Sequence, residues 1–187
     1  MRHHRRVAAL AASIAFLGCA GAAGAASIVV NGTVTAGTTL SANGTGSPSF
    51  SLTLNGDDQT ATYTLPVQVV DARGLQTGGG WNLTVTSTRF TDASGHMFPA
   101  GASTIAGLTT GCATGSTCTL PTNSVANTNL ALPAGSGPPA PVKYLNAATA
   151  TGLGRIDTNA TVSVSVPANV FAGTYTSTVT VAVAAGP

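Results

Sequence analysis

The feature that most constrains the fold of this chain is an alternation of apolar and polar residues with a period of two. It recurs in five stretches, whose apolar members are Phe50, Leu52 and Leu54; Tyr63, Leu65, Val67 and Val69; Trp81, Leu83 and Val85; Val162, Val164 and Val166; and Tyr175, Val179, Val181 and Val183. Successive side chains of an extended chain point to opposite faces. Each stretch therefore predicts a strand with one apolar and one polar face.

The segments between these stretches favour turns rather than helices. Gly- and Asn-rich sequences, such as Asn55-Gly56 and Gly78-Gly79-Gly80, follow the apolar runs, and the helix formers Glu, Lys and Met are scarce in the chain. Strands connected by turns, with no helix between them, point to antiparallel sheets. We therefore predict an all-β fold, an antiparallel β-sandwich of Ig-like or jelly-roll-like architecture. Pro66 lies inside a predicted strand and suits an edge or a bulge.

The first 26 residues have the layout of a secretory signal peptide. A basic head is followed by an apolar run too short to span a membrane and then by small residues, with Ala23-Gly24-Ala25 as the cleavage site. Lipidation of Cys19 is the rival interpretation. We expect residues 1–26 to be a signal peptide and residues 27–187 to be one domain, in which residues 27–59 are possible N-terminal extension strands. No transmembrane segment is expected in the mature chain.

The charge of the mature chain argues against one class of partner. Removal of the leader leaves four Lys and Arg residues against five Asp, a net charge of −1. A nucleic-acid-binding protein needs a basic surface to neutralise phosphates. Nucleic-acid binding is therefore not predicted.

The two cysteines that remain, Cys112 and Cys118, predict a disulfide. An exported protein meets an oxidising environment, in which a disulfide forms readily. A metal site is the rival interpretation, but no further ligand residues lie nearby in the sequence, and a redox Cys-x-x-Cys motif is absent.

Residues with catalytic or metal-binding chemistry are few and poorly spaced for it. Asp57-Asp58 lacks the oxygen-rich spacing of a calcium loop, and a polar turn is the favoured interpretation. Asp71 and Arg73 flank a predicted turn, where we expect a solvated pair that does little for stability. His96 lies in a loop, without a nucleophile motif such as Gly-x-Ser-x-Gly. No catalytic residue, metal site or cofactor is predicted, and we expect the protein not to be an enzyme.

Several segments together resemble the WxL domain of Gram-positive cell-surface proteins. They are Val69-Val70-Asp71-Ala72-Arg73-Gly74, Gly80-Trp81-Asn82-Leu83-Thr84-Val85, Ala150-Thr151-Gly152-Leu153-Gly154, and the closing Ala172-Gly173-Thr174-Tyr175-Thr176-Ser177. The resemblance covers residues 60–187. It implies a secreted protein that attaches non-covalently to the cell wall at the cell surface. It further implies peptidoglycan or another wall glycan as the ligand, and other surface proteins as possible partners.

The resemblance also implies a binding motif. Trp81, Asn82 and Leu83 match the first family motif and are the implied ligand-binding residues. The second motif falls in the last strand, where Val181-Ala182-Val183 lacks the Trp. Trp81 also shares a strand face with Leu83, so core packing is the competing interpretation of the motif.

A second function class remains open from the sequence. The closing strand pattern also resembles that of spore-coat or pilus-like subunits, which makes a structural subunit the alternative function. Such a subunit is expected to self-associate through strand edges.

Overall fold

The computed structural model of the protein describes residues 29–187, so the signal-peptide and Cys19 predictions lie outside the described residues. The chain divides into two compact units, Met1–Val34 and Thr35–Pro187. In the first unit, residues 29–34 are exposed and have no regular secondary structure. All strands described below belong to the second unit.

Nine strands form the second unit, and residues 29–187 contain no helix. In chain order they are β1 (Leu40–Gly44), β2 (Gln59–Asp71), β3 (Trp81–Thr88), β4 (Ser103–Cys112), β5 (Leu130–Ala131), β6 (Ala134–Gly135), β7 (Val142–Ala147), β8 (Gly154–Val166) and β9 (Val179–Ala185). The predicted all-β class is confirmed.

The strands form two sheets that pack in a sandwich-like arrangement. One sheet has the order β1-β2-β8-β4-β5, and in the other β3 pairs with β6, β7 and β9. All pairings between these strands are antiparallel except the short one between β3 and β6. The longest ladder joins β2 to β8, from Gln59 opposite Val166 to Asp71 opposite Gly154. The predicted antiparallel sandwich is therefore confirmed.

The core lies between the sheets and is built from the inward positions of the alternating strands. Along β2 and β8 every second residue is buried, as the period-two pattern predicts. β7 departs from this pattern, because its last four residues are all buried. The largest side chains that are fully buried belong to Trp81, Tyr144, Leu83, Ile105, Leu132, Leu145 and Ile156.

The strand predicted at Phe50, Leu52 and Leu54 is wrong, because residues 46–54 are not paired with any strand of the described chain. The ladder between β1 and β2 stops where Thr45 N donates to Pro66 O at 3.2 Å. Pro48 and Pro66 both lack the backbone N–H that would continue it. Phe50 and Leu52 still turn toward the core and pack against it. Pro66 thus lies where β2 becomes an edge.

The predicted disulfide is confirmed, with an S–S distance of 2.01 Å between Cys112 and Cys118. It joins the end of β4 to a short loop. That loop is held against the start of β8, because Ala113 N donates to Arg155 O at 3.0 Å and Thr119 N donates to Leu153 O at 3.0 Å. The disulfide therefore braces the segment that enters β8.

We predict that replacing both cysteines by serine lowers the free energy of unfolding by about 2 kcal/mol, the chain-entropy value for so short a loop. Chemical denaturation of the double variant beside the oxidised wild type measures the loss. Reduction of the wild type by dithiothreitol is the matched control and should give the same shift. A double variant as stable as the oxidised protein would contradict the prediction.

Asp57 and Asp58 occupy an exposed bend, in which Asn55 Oδ1 accepts from Asp57 N and Asp58 Oδ1 accepts from Ala168 N.

Within residues 29–187 there is no helix of the length and hydrophobicity that a bilayer crossing needs.

Candidate functional site

The motif residues Trp81 and Leu83 lie inside the sandwich, where both side chains are 0% exposed. Trp81 Nε1 donates a hydrogen bond of 2.8 Å to Gly152 O. The indole therefore fills the core and satisfies its one polar atom. The structure gives these two side chains a packing role, and the ligand-contact role implied by the resemblance stays a prediction.

Gly152 makes room for the indole of Trp81. Its φ of +71° lies in the left-handed region, and a Cβ at this position would come within 2.5 Å of Trp81 Nε1 and Ala147 Cβ. Only glycine accepts both the conformation and the close approach. The Ala150-to-Gly154 segment and the first motif are thus parts of one packing arrangement.

Asn82, the middle residue of the motif, faces the opposite side of β3. Its side chain is part-buried, and Asn82 Nδ2 donates to Gly186 O at 2.9 Å. This bond connects the residue after β9 to β3. In the ladder between the two strands, Leu83 of β3 lies opposite Val183 of β9, and Val85 lies opposite Val181. The first motif and the place of the second are therefore neighbours on adjacent strands.

The pair of Asp71 and Arg73 is not the solvated pair expected from the sequence, because Asp71 is only 2% exposed. Asp71 Oδ1 accepts from Arg73 Nε at 2.9 Å and Oδ2 accepts from Nη2 at 2.8 Å. This hydrogen bonding raises the pKa of Arg73. Arg73 Nη2 also donates to Gly80 O at 2.8 Å. The burial follows from Asp71 ending β2 beside Gly154, and the pair links β2 to the start of β3.

A groove opens on the side of the sandwich where β9 and residues 46–54 lie, with a volume of about 1350 Å³. Six of the eight aromatic residues in the described chain line it, and we call it the aromatic groove. These residues are Phe50, Tyr63, Phe90, Phe98, Phe171 and Tyr175. They come from loops and from β2, so their clustering depends on the tertiary fold.

Five of these rings form a continuous chain along the aromatic groove. Phe50 packs against Tyr63 at 6.3 Å between ring centroids and edge-on against Phe90 at 5.5 Å. Phe98 then joins Phe90 at 5.6 Å and Tyr175 at 4.5 Å. Ring pairs at these separations are favourable contacts, so each ring holds the next in place.

Phe171 stands apart from this chain at the mouth of the groove, with 62% of its surface exposed. Tyr175 Oη donates to Phe171 O at 3.0 Å. The loop that carries both residues is held by Thr91 and Thr176, whose backbones exchange hydrogen bonds of 2.9 and 3.0 Å. An exposed ring on a loop fixed in this way is a ready contact surface for a ligand.

The aromatic groove is electrically neutral. None of the described residues that line it is charged. Burial raises the pKa of Tyr63 to about 12. The pKa of Tyr175 is also raised, first by burial and then by the charge of Asp92. Both phenols therefore stay protonated at neutral pH, and the rim adds only hydroxyls, those of Ser47, Ser49, Ser51, Thr53, Thr174, Thr176, Ser177 and Thr180.

His96 lies beside the mouth of the groove and has a well-defined environment. Its ring stacks on Phe171 with 4.2 Å between centroids, and Nδ1 lies 2.7 Å from Asp92 Oδ2. This hydrogen bond is the main cause that lowers the pKa of the Asp92 carboxyl. A second pocket of about 500 Å³ adjoins these residues and also includes Arg89 and Asn169. Polar groups therefore surround the exposed ring of Phe171 on one side.

A comparison with protein families gives a match that covers most of the chain. Residues 31–187 match a family model described as the WxL domain, surface cell wall-binding. The chain belongs to the WxL family. The match confirms the resemblance and extends it toward the N-terminus, from residue 60 to residue 31. Searches of curated proteins and of solved structures returned no match.

Membership of the WxL family associates the protein with the cell wall or cell surface. Val181, which stands in the segment where the second motif falls, lines the aromatic groove. Trp81 and Leu83 of the first motif thus pack inside the domain, whereas Val181 lines the groove.

Sequence reasoning placed several groove residues on strand faces but did not bring them together as a site. Phe98, Phe171 and Tyr175 lie in or next to turns, and no spacing in the sequence connects them with Phe50 or Phe90. Their only shared signal is composition, because aromatic residues are rare in this chain.

No group of three or more His, Cys, Asp or Glu side chains placed to hold a metal occurs in residues 29–187.

Proposed function

We propose that the protein is a secreted, non-catalytic surface protein that attaches non-covalently to the cell wall, with peptidoglycan as its ligand. The observation that carries the proposal is the match of residues 31–187 to a cell-wall-binding family. Secretion is supported by the signal-peptide pattern of residues 1–26.

The non-catalytic part of the proposal rests on the surroundings of His96. A nucleophilic site needs a hydroxyl or thiol within hydrogen-bonding reach of the base. Asp92 is hydrogen-bonded to His96 Nδ1, but no hydroxyl or thiol of the described chain forms a hydrogen bond with the His96 ring. The ring instead packs on Phe171, so His96 is better explained as part of the loop structure.

The test of this function is co-sedimentation of the mature protein, residues 27–187, with purified peptidoglycan sacculi. We expect the protein to pellet with sacculi and to remain in the supernatant without them. Because the mature net charge is only −1, binding should persist at high salt, unlike electrostatic adsorption. No soluble wall fragments should be released. Failure to pellet would leave a wall-associated protein as the candidate partner, whereas release of fragments would contradict the non-catalytic assignment.

The structural-subunit alternative receives no support from the family match. It predicts large assemblies of the mature protein without any wall material. Light scattering of the same sample used for co-sedimentation therefore separates the two functions.

A further inference from the structure

We propose that the aromatic groove holds the sugar backbone of the wall polymer and leaves its peptide stems outside. This inference rests on the proposed function, since it names the part of that ligand which is bound and the place where it binds. It assigns a binding role to Phe171 and to the half-buried rings of Phe50 and Tyr175.

The shape and chemistry of the lining suit sugar rings. A pyranose presents a face of C–H groups between its hydroxyls, and such a face packs on an aromatic ring while the hydroxyls form hydrogen bonds around it. Phe171 offers an exposed ring at the mouth, and Phe50 and Tyr175 are half-buried behind it. The rows of Ser and Thr hydroxyls on the rim provide donors and acceptors next to these rings.

The absence of charge selects the backbone of the polymer over its stems. Peptide stems carry carboxylates and amines, and a charge that leaves water without a partner is costly. No charged residue of the described chain lines the groove. Beside its mouth, Asp92 is already paired with His96, and Arg89 Nε is engaged with Phe98 O. An uncharged polymer of sugars meets no such penalty.

An extended peptide is the competing occupant, because within residues 29–187 β9 pairs only with β3 and residues 46–54 belong to no strand. Strand addition needs a regular row of backbone donors and acceptors. Pro48 and Pro66 both line the groove and both lack the donor. The backbone donors and acceptors available to a peptide strand are thus interrupted, whereas a glycan does not need a regular row of them.

The test compares three variants on three ligands. Phe171→Ala removes the exposed ring, Phe171→Tyr keeps it, and Leu120→Ala removes an exposed apolar side chain that is 47% exposed and lies outside the groove. The ligands are sacculi freed of protein, glycan strands stripped of stems by an amidase, with the lactyl carboxylates that the cleavage exposes converted to amides so that the strands stay uncharged, and the released stem peptides. Thermal melts check that every variant is folded.

We expect the wild type to bind sacculi and stripped glycan strands but not stem peptides. Phe171→Ala should weaken glycan binding by about tenfold, as expected for one ring face no longer removed from water. Phe171→Tyr should bind more tightly than Phe171→Ala, and Leu120→Ala should bind as the wild type does. Wild-type sedimentation with sacculi but not with stripped glycan, or an unchanged affinity of Phe171→Ala, overturns the groove assignment and leaves the proposed function standing. A wild type that binds no sacculi overturns both.

Discussion

Replacing Trp81 by alanine should lower the free energy of unfolding by about 3–5 kcal/mol, the usual cost of removing a large buried aromatic side chain. Trp81 is fully buried, and its Nε1 satisfies Gly152 O. The variant therefore loses core contacts and leaves a buried carbonyl without its donor. For a domain of this size the melting temperature should fall by on the order of 10 °C. Chemical denaturation followed by circular dichroism measures the change.

Trp81→Phe is the matched control, because it keeps a ring and loses the N–H group. Its loss of stability should be smaller, about 1–3 kcal/mol for the unpaired carbonyl. Phe171→Ala, in which the deleted ring is mostly exposed, should change stability little. A Trp81→Ala variant within about 1 kcal/mol of the wild type would falsify the packing role.

The single Trp of the chain also reports on its own role. If Trp81 packs inside the domain, acrylamide should quench its fluorescence slowly, and bound peptidoglycan should leave the emission unchanged. If Trp81 contacts the ligand, saturating peptidoglycan should shift the emission or protect the ring from quenching. The same titration with Trp81→Phe gives the background signal.

Replacing Arg73 by methionine should cost about 3–5 kcal/mol, because it leaves the Asp71 carboxylate buried without its charged partner. The side chain of Asp71 is 1% exposed and that of Arg73 is 13% exposed, so water does not readily replace the lost contacts. Gly80 O loses its donor in the same variant. The expected result is a large drop in the midpoint of urea denaturation.

A double-mutant cycle separates the pair from other effects of the substitution. Asp71→Asn combined with Arg73→Met removes both charges, and this double variant should be markedly more stable than Arg73→Met alone. Arg73→Lys should be intermediate, since it keeps the charge but not the planar fork that contacts both carboxylate oxygens. Equal stability of the double variant and Arg73→Met would mean that the unpaired charge is not the cause.

The alternation in the sequence was sufficient to predict the strands with one buried face. The predicted apolar positions of β2, β3 and β8 are buried, and Val179, Val181 and Val183 of β9 are half-buried. Tyr175, which the pattern placed in the same strand, lies before β9. The alternation failed for β4 and β7, which were not predicted. β4 contains two Gly residues and a register shift beside Gly107, and the consecutive buried residues of β7 have no polar face to mark the period. It also predicted a strand at Phe50, where two prolines prevent pairing.

The sequence by itself determined the all-β class, the inward positions of the long strands, the disulfide and the family. These features are local, because alternation, turn residues and close cysteines act over a few neighbouring positions. The tertiary structure alone decided that Trp81 is buried against Gly152, that Asp71 and Arg73 are shielded from water, and that six aromatic residues meet in one groove. Each of these depends on which strands and loops lie side by side. Residues as far apart as Phe50 and Tyr175 meet only when both sheets have closed, and no local pattern records that contact.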